Sequence, residues 1–348
     1  MSEIQARRVT LDELAGEAGV SIATVSKVLN GRADVAASTR QRVEDLLDHH
    51  GYERRHGLGG RSSLIELVFP ELQTAWAMEI IRGVENVARP NGLSVVLSET
   101  GSRHGPAPDW ISGVLRRRPV GVVLVFADLA EDAKAQLRSR AIPFVVVDPA
   151  GDPAPDVPSV GSANWSGGLA ATRHLIELGH TRIAAITGRD DMMCSFARLD
   201  GFRSAMSSAG LPVDDELVAF GDFEVDGGRR HALAMLSQPN PPTAIFAGSD
   251  LQALGVFDAA RSLGLQVPRD LSVVGYDDIQ LAQWTSPALT TIHQPLTLMA
   301  EEAARLVIHM SEEKVPDVPR RDLATHLVVR ESTAPPLESA HIGKGDPS

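Results

Sequence analysis

Residues 10–31, TLDELAGEAGVSIATVSKVLNG, read as two short helices around a tight turn. Thr10 can cap the first helix, and Glu13 stands three residues on, where a capping box needs it. Leu11, Leu14, Ala15 and Ala18 recur at helical spacing, and Gly19 can supply the left-handed residue that stops the helix. Ser21 can cap a second helix from Ile22 to Leu29. Val25, Val28 and Leu29 form its buried stripe, which leaves Ile22, Ala23, Ser26 and Lys27 on the opposite side. Two helices so joined are either an ordinary helical hairpin or a helix-turn-helix, whose second helix can enter the major groove of DNA.

The register of turn, cap and core residues decides between them. The runs Val9-Thr10-Leu11-Asp12, Ala18-Gly19-Val20-Ser21 and Thr24-Val25-Ser26-Lys27-Val28-Leu29-Asn30 resemble the N-terminal signature of the lactose-repressor family of bacterial transcription regulators. The resemblance implies a DNA-binding repressor. Ile22, Ala23 and Lys27 match the family's base-reading positions. Ser21, Thr24 and Ser26 are placed for phosphates, and Thr10 and Asn30 complete the set expected at the DNA. Lys27 can donate to guanine, and Ile22 and Ala23 can meet a thymine methyl. It also makes Leu58 the candidate for a hinge leucine that wedges into the minor groove. Here the stretch from Tyr52 to Leu58 is shorter than the family's, and Gly57, Gly59 and Gly60 flank Leu58, each costing a helix about 0.5–1 kcal/mol.

Composition is compatible with that reading. The 348 residues are 43% hydrophobic and 22% charged, enough for two or three globular domains. The single cysteine, Cys194, excludes an internal disulfide framework and suits a reducing compartment. No signal peptide or membrane-length apolar run is visible, so a cytoplasmic location is expected. The net charge of -12 falls wholly on the body, because residues 1–61 hold nine Arg or Lys and nine Asp or Glu. A neutral headpiece with basic pairs at Arg7-Arg8 and Arg54-Arg55 can meet phosphates while the acidic body is repelled from them.

A third helix is expected near Thr39 to His49, with Val43, Leu46 and Leu47 inward. The stretch ERRHGLGGRSS follows as a linker. From Leu64 short apolar runs alternate with amphipathic stretches. LIELVF (64–69), LSVVLS (93–98), VGVVLVF (120–126), IPFVVVD (142–148), RIAAIT (182–187), TAIFAG (243–248) and LSVVGYDD (271–278) are strand-like. Met78 to Arg89, Gly167 to Leu178, Ala197 to Ala209 and Leu251 to Leu263 fit helices between them. Alternation of this kind builds parallel sheets, and the number of units calls for two subdomains. The expected fold is a small all-α headpiece followed by an α/β body of two parallel-sheet subdomains.

The body resembles the periplasmic-binding-protein-like sensor of the same family, in HLIELGHTRIAAITG (174–188), RLDGFRSAMSSAGL (198–211), PTAIFAGSDLQALGV (242–256) and LSVVGYDDIQLAQWTSPALTTIHQP (271–295). It implies three crossings between subdomains, near Val160-Gly161, Ile292-His293 and Leu323. The domains are then a headpiece at 1–51, a linker at 52–63 and an effector and dimerisation domain at 64–336. That domain divides into one subdomain of 64–160 with 293–322 and another of 161–292 with 323–336. A disordered tail at 337–348 completes the chain.

Ligands of open parallel sheets sit beyond the carboxyl ends of the strands. Asp148, Ser249-Asp250 and Asp277-Asp278 follow strand-like runs, and Arg198 opens a helix shortly after IAAITG. Carboxylates accept from vicinal hydroxyls and a guanidinium fork donates to them. The alternative for each acid is a helix cap or a basic neighbour. The resemblance aligns Asp148, Cys194, Arg198, Phe223, Ser249 and Asp277 with effector contacts, and Ser249 stands where the family more often has Asn. Trp76, Trp165 and Trp284 are expected to line the cleft, with Phe196 and Phe223 either joining them or packing in the core. Flat rings favour a carbohydrate or glycoside, and leave a purine open.

The partners expected are a palindromic DNA operator, a small-molecule effector and a second copy of the chain, with no membrane, metal or cofactor. A solute-binding protein would share the body but has no use for residues 1–51. An enzyme is disfavoured, because adjacent Asp277 and Asp278 point apart, His180 and His293 lack ligand spacing, and Cys194 has no base partner.

Overall fold

A computed structural model describes residues 10–29, 35–50, 62–72, 75–100, 108–126, 129–312 and 320–337. Asn30, Leu58, both basic pairs, the linker's residues 52–61 and the tail from 338 onward lie outside that set. The chain divides into two compact units, Met1–Arg61 and Ser62–Ser348.

In the first unit α1 (Leu11–Ala18), α2 (Ile22–Leu29) and α3 (Ala37–His49) pack around Ala15, Ala18, Val25, Val28 and Val43. The capping box is complete. Thr10 Oγ1 accepts from the Glu13 amide at 3.3 Å, and the Thr10 amide donates to Glu13 Oε2 at 2.7 Å. Gly19 closes α1 at φ 66°, a left-handed conformation that costs glycine nothing. Ser21 Oγ accepts from the Thr24 amide at 3.2 Å and so caps α2. Thr10→Ala should cost α1 about 1 kcal/mol, read as roughly fivefold faster amide exchange at Glu13 and Leu14. Unchanged exchange at both amides would show that tertiary packing alone holds this turn.

The second unit begins with β1 (Leu64–Phe69), α4 (Ala75–Ala88), β2 (Ser94–Glu99), α5 (Pro108–Arg117), β3 (Gly121–Val125), α6 (Glu131–Ser139), β4 (Phe144–Val147) and β5 (Ser159–Ser162). It continues through α7 (Asn164–Glu177), β6 (Ile183–Thr187), α8 (Met193–Ser208), β7 (Val218–Phe220), α9 (Val225–Leu236), β8 (Ala244–Ala247), α10 (Asp250–Ser262), β9 (Ser272–Asp277), α11 (Leu281–Trp284) and β10 (Thr290–His293). It closes with α12 (Leu296–Ser311), β11 (Arg320–Leu323) and β12 (His326–Val328).

The strands form two six-stranded sheets, ordered β11-β5-β4-β3-β1-β2 and β12-β10-β9-β8-β6-β7. All described pairings are parallel except β10 with β12. Central strands such as β3 and β4 are buried at every position, which explains their unbroken apolar runs. Each sheet reverses its strand order beside its first strand, β1 against β3 in one and β6 against β8 in the other.

The chain leaves the first sheet after Ser162, two residues beyond Val160, because β5 pairs with β11 through all four of its residues. It returns after His293, since α12 packs its Leu296, Met299 and Ala303 into the first sheet's core. It crosses a third time between Leu323 and His326. These shifts of one or two residues follow from strand ends that are polar and carry no apolar signal.

Candidate functional site

On α2, Val25 and Val28 are buried, while Ile22 is 48% exposed and Ala23 and Lys27 are also exposed. Ser26 and Thr24 are half-buried. Helical periodicity alone produces this division, since burying one stripe leaves the other to solvent. Exposed Ile22, Ala23 and Lys27 on one short helix give an apolar and cationic surface of the kind that base edges and phosphates accept. The side chain of Leu29, expected inward, lies outside what the structure describes.

In the body a cleft opens at the two places where strand order reverses. It is lined from the first sheet by Phe69 and Pro70 after β1, Phe126 after β3 and Asp148 after β4. From the second half come Cys194 and Arg198 on α8, Phe223, Ser249 after β8 and Asp277 at the end of β9. Both Asp148 and Asp277 take positive φ, at 48° and 110°, which turns the chain sharply out of each strand.

Arg198 is the centre of the arrangement and is 3% exposed. Its Nε donates to Asn164 Oδ1 at 2.8 Å, Nη1 to the Gly248 carbonyl at 2.5 Å and Nη2 to Gln294 Oε1 at 3.1 Å. The guanidinium lies 3.7 Å from the Tyr276 ring centroid, a cation–π contact. Burial works against its charge, but Tyr276, Cys194, Asp277 and Asp148 outweigh it and raise its pKa. The site therefore contains a permanent cation.

Asp277 sits 3.8 Å from Arg198 Nη1, and its buried Oδ1 has no hydrogen-bond partner among the described residues. Burial pushes its carboxyl up to about 7, with Arg198 pulling down and Asp148 adding to the rise. Asp148 is raised as well, by burial first, against the lowering influence of Arg198 and of hydrogen bonds from Gln294 and Asn164. Burial also pushes the Cys194 thiol up to about 12, so it is a neutral wall rather than a nucleophile. Trp76 stacks on Phe126 with centroids 4.7 Å apart and planes at 25°. The Phe223 ring covers Gly188, where an added Cβ would lie 1.8 Å from a ring carbon.

The expected site residues divide. Trp76, Asp148, Cys194, Arg198, Phe223, Ser249 and Asp277 all line the one cleft. Ser249 also spends its hydroxyl locally, accepting from the Gln252 amide at 3.0 Å and donating to the Phe223 carbonyl at 2.8 Å. Its helix-capping role thus holds the Phe223 turn. Trp284 is corrected: it is 67% exposed on α11, whose inward residue is Ala282. Trp165 is corrected too, because the first turn of α7 carries it to a separate pocket. Phe196 is 43% exposed against Phe220, in neither core nor cleft.

Asp278 points away from Asp277 to Arg330 and His293, and Asp250 is occupied by Thr291 and the Ile279 amide. Both follow the alternative of local pairing. Sequence reading missed Asn164, Tyr276 and Gln294. Asn164 and Gln294 obey the same rule that found Asp148, standing just past β5 and β10, but SVGS and TTIH are too short and polar to be recognised as strands. No helix among the described residues is long and apolar enough to cross a membrane.

A family model described as bacterial regulatory proteins, lacI family, matches residues 10–55, and one described as a periplasmic binding protein-like domain matches residues 172–333. The chain is 36% identical over 337 residues to the HTH-type transcriptional regulator CelR of Thermobifida fusca, covering 94% of this chain and 98% of that protein. It is 32% identical over 333 residues to the HTH-type transcriptional repressor CytR of Escherichia coli, covering 94% and 97%. A solved CelR–cellobiose complex matches at a TM-score of 0.71 and 33% identity, covering 93% of this chain and all of that one. The lac repressor dimer bound to operator and the anti-inducer ONPF matches at 0.79 and 26%, covering 94% and 100%.

Proposed function

Since the chain belongs to the lacI family of bacterial regulatory proteins, we propose that it is a sequence-specific transcriptional repressor switched by a small polyhydroxylated molecule. The relatives named above are regulators of transcription, and one of them is solved with a sugar bound. The observation that carries the effector class is the Arg198–Asp277 pair. It sets a permanent donor fork beside a buried, unpartnered carboxylate oxygen in a cleft walled by Trp76, Phe126 and Phe223. A sugar offers both the hydroxyls that this pair requires and the apolar face that the rings require. The cleft's further acids, Asp148, Glu71, Asp222 and Glu224, oppose a phosphorylated ligand.

In this reading residues 1–51 contact DNA, 52–63 connect, and 64–336 bind effector and pair two copies across a palindromic operator. Ile22, Ala23 and Lys27 read base edges; Thr10, Ser21, Thr24, Ser26 and Asn30 meet the backbone, and Leu58 reaches the minor groove. The cleft is bounded by both sheets, so a ligand held by Asp148 from one and Arg198 and Asp277 from the other favours one relative arrangement of the two. Its differential affinity for the two arrangements sets how far DNA binding shifts.

Selection of genomic fragments by the full-length protein, followed by calorimetry with a sugar panel, tests both halves. Enrichment of a palindrome whose affinity changes with a neutral sugar supports the reading, and absence of any enriched sequence opposes it. Lys27→Ala should relax preference at one base position by about 1–3 kcal/mol. A uniform loss across all sequences would make Lys27 a phosphate contact. Trp76→Ala should weaken effector binding by at least about tenfold with operator affinity unchanged. Full effector affinity in that variant would remove Trp76 from the site.

A further inference from the structure

A second pocket, open to solvent, shares Asp148 and Cys194 with the effector cleft but is otherwise lined by different residues. It is walled by β5 and β11 of the first sheet and by the first turns of α7 and α8. We propose that this pocket is a second binding site, for a neutral polyhydroxylated ring.

Its chemistry has three independent parts. Ser162 is 6% exposed, and its hydroxyl, which finds no hydrogen-bond partner among the described residues, belongs to the lining. A buried hydroxyl without a partner carries a desolvation cost that a ligand hydroxyl would recover. Trp165, 45% exposed, belongs to the lining and offers a flat apolar face. The polar remainder mixes donors and acceptors. Arg320 and the N-terminus of α7, which no side chain caps, donate; Asp322 and Asp148 accept.

That mixture selects the ligand class. Two carboxylates oppose an anion, while Arg320 and a helix N-terminus oppose a cation. A neutral polyol satisfies both sets at once and lays its ring on Trp165. Arg320 pairs with Asp152 at 2.7 Å and stands 3.9 Å from Asp322. An occupant would touch strands of one sheet and helices of the other beside the first and third crossings. It would therefore brace the same two bodies that the effector bridges, as a co-effector. The site stands whether or not the cleft binds its own ligand.

Fluorine NMR of the full-length protein labelled with fluorotryptophan tests this, because Trp76 reports the cleft and Trp165 the second pocket. Signals are assigned with Trp76→Phe and Trp165→Phe. The probes are glucose, galactose, ribose and cellobiose, with a hexose phosphate as the charged comparison. At least one neutral sugar should move the Trp165 signal along its own saturation curve, and this should persist in Trp76→Ala. Ser162→Ala should weaken that binding about tenfold. A Trp165 signal unmoved by all four sugars, or moved only in step with Trp76 and lost in Trp76→Ala, would overturn the site. Tighter binding of the hexose phosphate would overturn the ligand class. Silence of Trp76 with a responding Trp165 would instead count against the effector cleft alone.

Discussion

Arg198→Met should destabilise the body by about 3–5 kcal/mol and abolish the effector response, because the substitution removes one partner from a buried charge network. Methionine fills the space, but it leaves Asn164 Oδ1, Gln294 Oε1 and the Gly248 carbonyl without their donor. It also leaves Asp277 and Asp148 without the cation that lowers their carboxyl pKa values. Arg198→Lys should rescue little, since a point charge cannot reproduce a planar fork that serves three acceptors in different directions. Denaturant unfolding of the three proteins measures the first effect and sugar titration the second. A change within about 0.5 kcal/mol for Arg198→Met would mean that water replaces the guanidinium and that the network is not a structural one.

The second large effect is a pH dependence centred on Asp277. Its carboxyl, ordinarily near 3.8, is pushed up to about 7 by burial, so the native state holds a proton that the unfolded chain has lost. Stability contributed by this group is therefore greatest below about pH 4, falls as pH rises to about 7 and levels off above it. Effector binding runs in the opposite direction. A sugar hydroxyl donates to the ionised carboxylate, so affinity should rise by up to about tenfold per pH unit on approaching 7 from below. Asp277→Asn removes this titration and should reduce both slopes, with effector affinity low throughout. The measurements are thermal melting and effector titration at matched pH values. Equal slopes in the wild type and Asp277→Asn would place the titrating group elsewhere, with Asp148 and Asp250 the next candidates, both raised chiefly by burial.

Helix starts show how far local sequence reading extends. The amphipathic pattern locates α4, α7 and α8, yet each begins three or four residues before that pattern does. In α7 and α8 the N-caps are Ala163 and Met192, neither of which makes a side-chain cap. Their first turns project toward the cleft and the crossings rather than into a core, so no apolar periodicity marks them. Those turns carry Asn164, Trp165 and Cys194, three residues whose surroundings matter for binding.

The chain's own sequence determined the headpiece nearly completely. Caps, turn glycine and buried stripe of α1 and α2 depend on neighbours within four residues, and such contacts are written in local spacing. It also determined the central strands, whose burial on both faces demands continuous apolar runs, and the acids that follow them. Tertiary structure alone decided which polar groups meet. Asn164, Arg198, Asp277 and Gln294 are far apart in the chain and converge only because two sheets place their carboxyl ends against one cleft. It likewise sent Trp284 to the surface and Trp165 to a different pocket, since the direction of an aromatic ring depends on what another part of the chain leaves open.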